Sequence, residues 1–330
     1  MKKVIIVGAG FSIKAGIPLQ SEILPTIINT DESLLTFSSK TIVRDFKIIK
    51  DIILPYIYGE DYKSKCGLIL LEDLYTLFDN AIQSRSNIGF LNYSMIIRIR
   101  VALDNCVKYV IDRSVSENVL RKYTSKIESV FKDSKVSFIS TNWDNILETV
   151  IEKLGYSINF GIGKRPKGRS VIVLKPHGSF NWKWCPVCHN FFSDAANIFS
   201  CTECEPVFNS IYNDRLLSVD EDKISNQILS IFITPTFMKS GHLFYIHSIN
   251  QKFLNLLSAA NEINFIGYSL PVSDHDIREI LIKAHTLNPC QNISVILKEK
   301  KKEKKEILMK NFTSIYQSEK IQFYWDGFIA

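Results

Sequence analysis

A run of four β-branched residues near the start of the chain limits its fold more than any other feature. Val4–Val7 is continuous, with no polar alternation, and Gly8 follows it directly. A strand of this kind is buried on both faces, as in parallel sheets that helices cover on each side. The sequence therefore predicts a central parallel strand that opens into a glycine turn.

Further short apolar runs recur along the chain, with helical stretches between them. The predicted strands are Val136–Ser140, Val171–Leu174, Ile231–Ile233, Ile263–Ile266 and Ile293–Leu297. The predicted helices include Ser12–Asn29, Trp143–Leu154 and Asp274–His285. Strands that alternate with helices build βαβ units, so we predict an α/β fold with a doubly wound parallel sheet.

One long stretch after the first strand has a different character. Residues 31–134 are rich in apolar residues at helical spacing, as in Leu70–Phe78, and we interpret them as a helical insertion. The predicted organisation is a sheet domain formed by 1–30, 135–184 and 207–330. The insertion at 31–134 and a small cysteine module at 185–206 interrupt it.

Charge and hydropathy narrow the class of function. The 330 residues carry a formal net charge of +6 with a sequence pI of about 8.8, which suits an anionic ligand such as a dinucleotide. In Lys298–Lys305 lysine alternates with glutamate, as is typical of a solvated helix start, and direct nucleic-acid binding is not expected. No apolar run approaches the ~20 residues that span a bilayer. We therefore expect no membrane contact, and the odd cysteine count with two short-spaced pairs favours a reducing cytoplasm.

Cysteine spacing predicts a metal site. Four of the seven cysteines form two C-x-x-C pairs, Cys185 with Cys188 and Cys201 with Cys204. Each pair can place two thiolates on one edge of a zinc tetrahedron, and four thiolates leave no open coordination position. We predict a structural zinc ribbon; redox or accidental cysteines are the alternative.

Polar side chains follow several of the predicted strands. The turn after the first strand contains Gly8-Ala9-Gly10-Phe11-Ser12 and then Ala15-Gly16-Ile17-Pro18, whose missing side chains would let a pyrophosphate approach the backbone. The spacing differs from the common dinucleotide fingerprint, and a tight turn without ligand is the alternative.

Two more such segments follow later strands. Thr141, Asn142 and Asp144 can hold a ribose or a water, or cap a helix. His177 can act as a general base near neutral pH, or serve a structural hydrogen bond.

A last turn of this kind begins at Gly267. Gly267-Tyr268-Ser269-Leu270-Pro271 follows a strand, and its glycine and serine can contact a ribose or an adenine. An ordinary loop with a helix cap at Ser273 or Asp274 is the alternative.

The order of these motifs resembles the sirtuin family. G-A-G-x-S and G-I-P come first, then T-N-x-D, H-G, the paired cysteines and G-x-S-L. The resemblance covers roughly the sheet domain and leaves out residues 31–130. It implies a Rossmann-type domain that binds NAD, with the zinc module inserted after the H-G motif.

The resemblance also implies roles for particular residues. Asn142, His177 and Asp144 are implied as the catalytic group. The implied NAD-contacting residues are Gly8, Ala9, Gly10, Ser12, Gly16, Thr141, Gly267 and Ser269. The implied zinc ligands are Cys185, Cys188, Cys201 and Cys204.

Departures from the protein deacylases indicate a different branch. Deacylases follow G-I-P with D-F-R, whereas this chain has Leu19-Gln20-Ser21. The sequences around His177, at Pro235-Thr236 and at Gly267 resemble sirtuin-like NADases of bacterial antiphage defence. We therefore expect an NAD⁺ glycohydrolase that yields nicotinamide and ADP-ribose.

Such an enzyme would need a gate, because unchecked NAD destruction would kill the host. From the resemblance we expect a homo-oligomer with a DNA-translocating ATPase or a short Argonaute as partner. Two alternatives stay open. A sirtuin-type protein deacylase would need an acyl-peptide, and a non-catalytic nucleotide-sensing subunit would not need both Asn142 and His177.

Overall fold

The structure is a computed structural model, and it describes residues 2–31, 35, 40–112, 115, 117–131, 135–162, 166–184, 191–192, 229–232 and 243–329. The chain divides into two compact units. The first contains Met1–Ile17, Val115–Ser179 and His242–Ala330, and the second contains Pro18–Ser114 and Phe180–Gly241.

A seven-stranded sheet forms the centre of the first unit. Its strands are β1 (Lys2–Val7), β2 (Lys135–Ser140), β3 (Ser157–Asn159), β4 (Ser170–Leu174), β8 (Glu262–Ile266), β9 (Asn292–Ile296) and β10 (Ile321–Tyr324). All pairs given by the register are parallel, in the order β10-β9-β8-β1-β2-β4-β3. The predicted parallel α/β sheet is thus confirmed, but the strand expected at Ile231–Ile233 is not part of it, because the strand Leu229–Phe232 belongs to a separate sheet.

Strand β1 is the point at which the strand order reverses. It pairs with β2 on one side and with β8 on the other, with Val7 opposite both Ser140 and Ile266. Its residues Val4–Val7 are at most 2% exposed, as the uninterrupted β-branched run predicts. Ligands of open α/β sheets bind at the carboxyl ends of the strands near such a reversal.

Helices connect and cover these strands. In the first unit they are α1 (Ala9–Ser12), α7 (Glu117–Phe131), α8 (Ile146–Lys153), α9 (Leu243–Ser258), α10 (His275–Leu287) and α11 (Lys302–Thr313). Strands alternating with helices around a reversed strand order give a Rossmann-type architecture.

The second unit is mainly helical. It contains α2 (Gln20–Asn29), α3 (Lys40–Lys47), α4 (Leu54–Tyr58), α5 (Leu71–Ser84) and α6 (Tyr93–Asp112). One turn of π-helix, Ile48–Ile53, joins α3 to α4. Strands β5 (Gly178–Trp184), β6 (Phe191–Phe192) and β7 (Leu229–Phe232) form a separate sheet in the order β6-β5-β7. The five-segment domain boundaries given above stay a prediction.

The first predicted helix is wrong in its extent. We expected one helix over 12–29, whereas the chain forms the short α1, a 3-10 turn at Ile13–Ala15 and then α2 from Gln20. Gly16 adopts a left-handed conformation, with φ of 97°, which ends the 3-10 turn. Glu22 then starts α2, since its carboxylate accepts a hydrogen bond of 2.8 Å from the Leu19 N–H.

The core of the first unit is apolar where the sheet meets its helices. Phe253, Phe265 and Phe312 are among the fully buried side chains. Across the described part of the chain, no helix has both the length and the apolar character that a membrane span requires.

Candidate active site

The glycine turn after β1 packs tightly against the turn after β8. The Gly8 N–H donates to the carbonyl of Ile266 at 3.1 Å, and the Gly10 N–H donates to that of Gly267 at 2.8 Å. A Cβ at Gly10 would lie 2.9 Å from the Gly267 Cα, and one at Gly8 would lie 2.7 Å from the Tyr268 Cα. These glycines therefore let two turns of the protein approach each other, which differs from the pyrophosphate explanation given by the sequence.

The turn after β8 also requires a glycine. Gly267 has φ of +63°, and a Cβ there would lie 2.1 Å from the backbone nitrogen of Phe11. Tyr268 follows as a buried residue whose hydroxyl donates to Asp274 at 2.6 Å. Ser269 is exposed at the carboxyl edge of the sheet. Two motifs at opposite ends of the sequence thus form one surface, on which Ala9, Gly10 and Ser269 face solvent.

Asn142 is held by the glycine turn. Its Nδ2 donates to the Gly8 carbonyl and to the Ser12 Oγ, each at 3.0 Å, and the residue is 8% exposed. Because both contacts use the amide nitrogen, Oδ1 is the atom of this side chain that can accept a hydrogen bond from another group. The turn therefore fixes the direction in which the Asn142 carboxamide points.

Asp144 is a buried carboxylate at the start of α8. Its Oδ1 accepts a hydrogen bond of 3.0 Å from the Ile146 N–H, in agreement with the capping alternative raised by the sequence. Burial raises the pKa of Asp144, while Lys175 and a hydrogen bond from Ser12 oppose that rise. Ser12, itself only 1% exposed, therefore orients both Asn142 and Asp144.

His177 is oriented by the backbone next to Asn142. Its ring Nδ1 lies 3.1 Å from the carbonyl oxygen of Thr141. A carbonyl only accepts, so Nδ1 carries the proton in the neutral ring and Nε2 carries the lone pair. Thr141 is held in turn, since its N–H donates to the Val7 carbonyl at 3.0 Å.

Lys175 lies beneath these residues and was not singled out by the sequence. It is fully buried, and its Nζ donates to the Asp144 carbonyl (2.7 Å), to Glu148 Oε1 (2.5 Å) and to Ser179 Oγ (2.7 Å). An ammonium with three acceptors ties the loop after β4 to the start of α8. Its position directly before Pro176-His177 was the available signal.

Three aromatic residues outside the predicted site pack beside the glycine turn. The Tyr123 hydroxyl donates to the Phe11 carbonyl, and the two ring centres are 4.8 Å apart. The Phe328 ring centre lies 5.6 Å from that of Phe11. Aromatic contacts at these distances stabilise the turn, and sequence spacing carries no signal for contacts between residues so far apart in the chain.

The remaining predicted residues lie elsewhere or outside the described residues. Gly16 closes the 3-10 turn, donating its N–H to the Ile13 carbonyl at 3.0 Å. Cys185, Cys188, Cys201 and Cys204, like Pro235-Thr236, fall outside the described ranges. In the part of the chain that is described, no cluster of metal-ligating side chains is present, and Cys66, Cys106 and Cys290 are free thiols.

Comparisons with known proteins give distant structural similarity. No model of a known protein family matches the sequence, and no curated protein matches it. Among solved structures, Sir2Tm bound to a propionylated peptide is 12% identical and covers 99% of this chain and 88% of its own, with a TM-score of 0.38. A Sir2 complex with a peptide and NAD⁺ has the same identity and coverage and a TM-score of 0.39. A Sir2 homologue with ADP-ribose is 12% identical over 99% of this chain and 86% of that chain, with a TM-score of 0.41. Solved sirtuin structures are thus among those to which this chain is distantly similar.

Proposed function

We propose that the protein is an NAD⁺ glycohydrolase. The observation that carries this proposal is the convergence of Asn142 and His177 at the carboxyl ends of two strands that pair with each other, β2 and β4. Both side chains have their orientation set by backbone carbonyls, those of Gly8 and Thr141. An oriented amide oxygen beside an oriented imidazole can position and deprotonate a water.

The proposed reaction breaks the bond between nicotinamide and the ribose C1′. Its electron pair leaves with nicotinamide, and the ribose develops oxocarbenium character. Asn142 Oδ1 accepts a hydrogen bond from the attacking water, and the water oxygen forms the new bond to C1′. His177 Nε2 takes the proton, directly or through a ribose hydroxyl, so that NAD⁺ and water give nicotinamide, ADP-ribose and a proton.

Asp144 has a supporting part in this proposal. It lies next to Ser12 at the base of the site, and its buried charge would favour the positive charge that develops on the ribose. The same carboxylate would hold the sugar or the nicotinamide carboxamide. Its bond to the Ile146 N–H keeps it in place.

The test is incubation of the purified protein with NAD⁺ alone, following nicotinamide and ADP-ribose, beside the His177→Ala variant. Turnover that the variant lacks supports the proposal. Turnover that appears only with an acyl-lysine peptide would instead assign a deacylase. Binding of NAD⁺ without turnover under any of these conditions would indicate a nucleotide-sensing subunit.

We further propose that the activity serves antiphage defence by depleting NAD. In this role the protein would assemble into a homo-oligomer and be gated by a DNA-translocating ATPase or a short Argonaute. The resemblance of the motifs to defence NADases supports each part of this proposal. The test is turnover measured before and after the candidate partner is added, with the oligomeric state followed by light scattering. Full turnover by a monomer would contradict gating by assembly.

We also propose that the two C-x-x-C pairs bind one structural zinc ion. The spacing of the four cysteines supports this site, and zinc takes no part in the proposed chemistry. Metal analysis of the purified protein should give one zinc per chain, and Cys185→Ser should lower that ratio. Retention of zinc by the Cys185→Ser and Cys201→Ser double variant would contradict the assignment.

A further inference from the structure

Four exposed lysines lie around the glycine turn of the first unit. They are Lys14, Lys122, Lys126 and Lys298, here called the lysine cluster. Lys14 follows the glycine turn, Lys122 and Lys126 are one turn apart on α7, and Lys298 follows β9. Neither the sheet nor the proposed chemistry explains why four positive charges from three parts of the chain occur together.

Contacts of Phe328 connect α7 to the glycine turn. Its ring centre lies 5.6 Å from that of Phe11, and the Lys126 Nζ lies 5.9 Å from the Phe328 ring centre. Tyr123, between the two lysines of α7, donates its hydroxyl to the Phe11 carbonyl. The α7 lysines are therefore anchored beside the turn.

Lys298 approaches the same place from β9. Its backbone forms an antiparallel bridge with Asp326, and a Cβ built on Gly327 would lie 3.3 Å from the Lys298 Cβ. The pKa of Lys14 is lowered, chiefly by the neighbouring Lys298 side chain and less by Lys122. Lys298 lies beside Gly327, and the next residue, Phe328, contacts both Phe11 in the glycine turn and Lys126, so these lysines surround one place where they can share an anion.

Nearby carboxylates do not neutralise the cluster. Glu299 Oε1 accepts hydrogen bonds of 2.9 Å from the backbone N–H groups of Lys300 and Lys301. These bonds lower the pKa of the Glu299 carboxyl and keep it charged, so Glu299 and Asp326 together place two negative charges against the four lysines. The local field is therefore positive, and it favours a group with more than one negative charge, such as a phosphate monoester.

The position of Lys298 relative to the turn after β8 indicates which phosphate group of a dinucleotide the lysine cluster would contact. The Gly267 N–H donates to the Ile296 carbonyl at 2.9 Å, so the turn at Gly267 lies beside the chain that leads to Lys298. From the sequence, Gly267 and Ser269 are expected to contact a ribose or an adenine of the dinucleotide. A cation beside the adenosine ribose is how NADP-binding sites accommodate the 2′-phosphate.

We propose that the lysine cluster binds the 2′-phosphate of NADP⁺, so that the phosphorylated dinucleotide is the preferred substrate of the site. This inference rests on the proposed function, since it needs a dinucleotide at the glycine turn. Lys14 and Lys298 make the direct contacts, and Lys122 and Lys126 strengthen the field.

The test measures binding by calorimetry, which needs no turnover. NAD⁺, NADP⁺ and adenosine 2′,5′-bisphosphate are titrated into the full-length protein and into Lys298→Ala, Lys14→Ala and the double variant. Lys2→Ala is the matched control, because Lys2 is also exposed but lies at the amino end of β1. The wild type should bind NADP⁺ roughly tenfold or more tightly than NAD⁺, as for a charge-assisted contact. That ratio should fall towards one in the double variant and stay unchanged in Lys2→Ala.

The outcomes separate the two proposals. Equal affinity for NAD⁺ and NADP⁺, unaltered by the cluster variants, would overturn this inference and leave the glycohydrolase proposal standing. Binding of none of the nucleotides would overturn both. Tight binding of a DNA duplex that the double variant loses, with no preference for NADP⁺, would assign the cluster to nucleic acid and overturn the inference.

Discussion

The Nδ1 of His177 and the carbonyl oxygen of Thr141 are 3.1 Å apart, and this contact decides which ring nitrogen can act as a base. The strand-end residue Thr141 thereby sets the tautomer of a histidine on the neighbouring loop. A histidine placed there without this carbonyl would present a mixture of tautomers.

Replacement of the ring by a carboxamide tests that role. In His177→Asn the amide nitrogen can keep the bond to Thr141, but the variant has no basic nitrogen. We expect turnover of the dinucleotide to fall by about 10²–10⁴-fold, while its dissociation constant changes little. Turnover and calorimetric binding measured on the same preparation check this, and an Asn variant within tenfold of wild type would exclude His177 as the base.

Ser12→Ala should impair the site through its neighbours. The change removes the acceptor of one Asn142 Nδ2 hydrogen bond and the donor that lowers the pKa of Asp144. We expect the free energy of unfolding to fall by about 1–3 kcal/mol. Turnover of the dinucleotide should fall by a larger factor than its binding affinity does. Ser258→Ala is the control, because the Ser258 hydroxyl donates to a carbonyl of its own helix, that of Leu254, at 2.8 Å. If both variants behave alike, Ser12 does not position the site.

Gly267→Ala should disrupt the contact between the two turns. The added methyl would lie 2.1 Å from the Phe11 nitrogen at a φ of +63°. Gly155 is the matched control, since its φ is +80° but nothing lies within 4 Å of a Cβ there. We expect Gly155→Ala to lower the free energy of unfolding by about 1–2 kcal/mol, which is the cost of holding an alanine in the left-handed backbone conformation. Gly267→Ala should cost more than about 4 kcal/mol, and denaturant unfolding of both gives the comparison. Similar losses would mean that the turns separate easily.

Lys175→Met should destabilise the first unit strongly. The buried ammonium is the partner of Glu148, whose pKa is raised by burial and held down by Lys175. Removal of one partner of a buried pair typically costs about 3–5 kcal/mol. The double variant Lys175→Met with Glu148→Gln should recover part of that loss in denaturant unfolding. Strictly additive losses would show that the two groups are not coupled.

Asp104 should make the stability of the helical unit depend on pH. Burial raises the pKa of Asp104 to about 7, and the nearby Asp79 carboxylate adds to that rise, while the ion pair with Arg100 opposes it. The folded state therefore holds this proton more tightly than the unfolded chain, whose carboxyl has a pKa of 3.8. The stabilisation of the folded state by this proton is complete below pH 3.8 and is lost as the pH rises through about 7.

The Asp104→Asn variant isolates that contribution. In denaturant unfolding, its free energy of unfolding should fall less steeply with rising pH than that of the wild type over the same pH range. Asp112→Asn, an exposed carboxylate on the same helix α6, is the control and should keep the wild-type slope. Parallel pH profiles for wild type and Asp104→Asn would contradict the raised pKa.

Several features could be predicted from local sequence. The uninterrupted Val4–Val7 run predicted a buried parallel strand, and β1 is that strand. The helix over 12–29 was wrong in extent, because the left-handed conformation of Gly16 is a backbone choice that helical periodicity does not reveal. Periodicity records which face of an element is buried, so it predicts element type better than element boundaries.

The arrangement of the site was decided by tertiary structure. The sequence by itself determined that polar residues follow the strands, since residue type and the succession of strands along the chain are both read from local sequence. Only the folded sheet brought the Gly267 turn against Gly10, Ser12 against Asn142, and Lys298 towards Lys14. The physical reason is that parallel strands align their carboxyl ends at one edge. That alignment places residues far apart in sequence within hydrogen-bonding distance, in pairs that local spacing cannot specify.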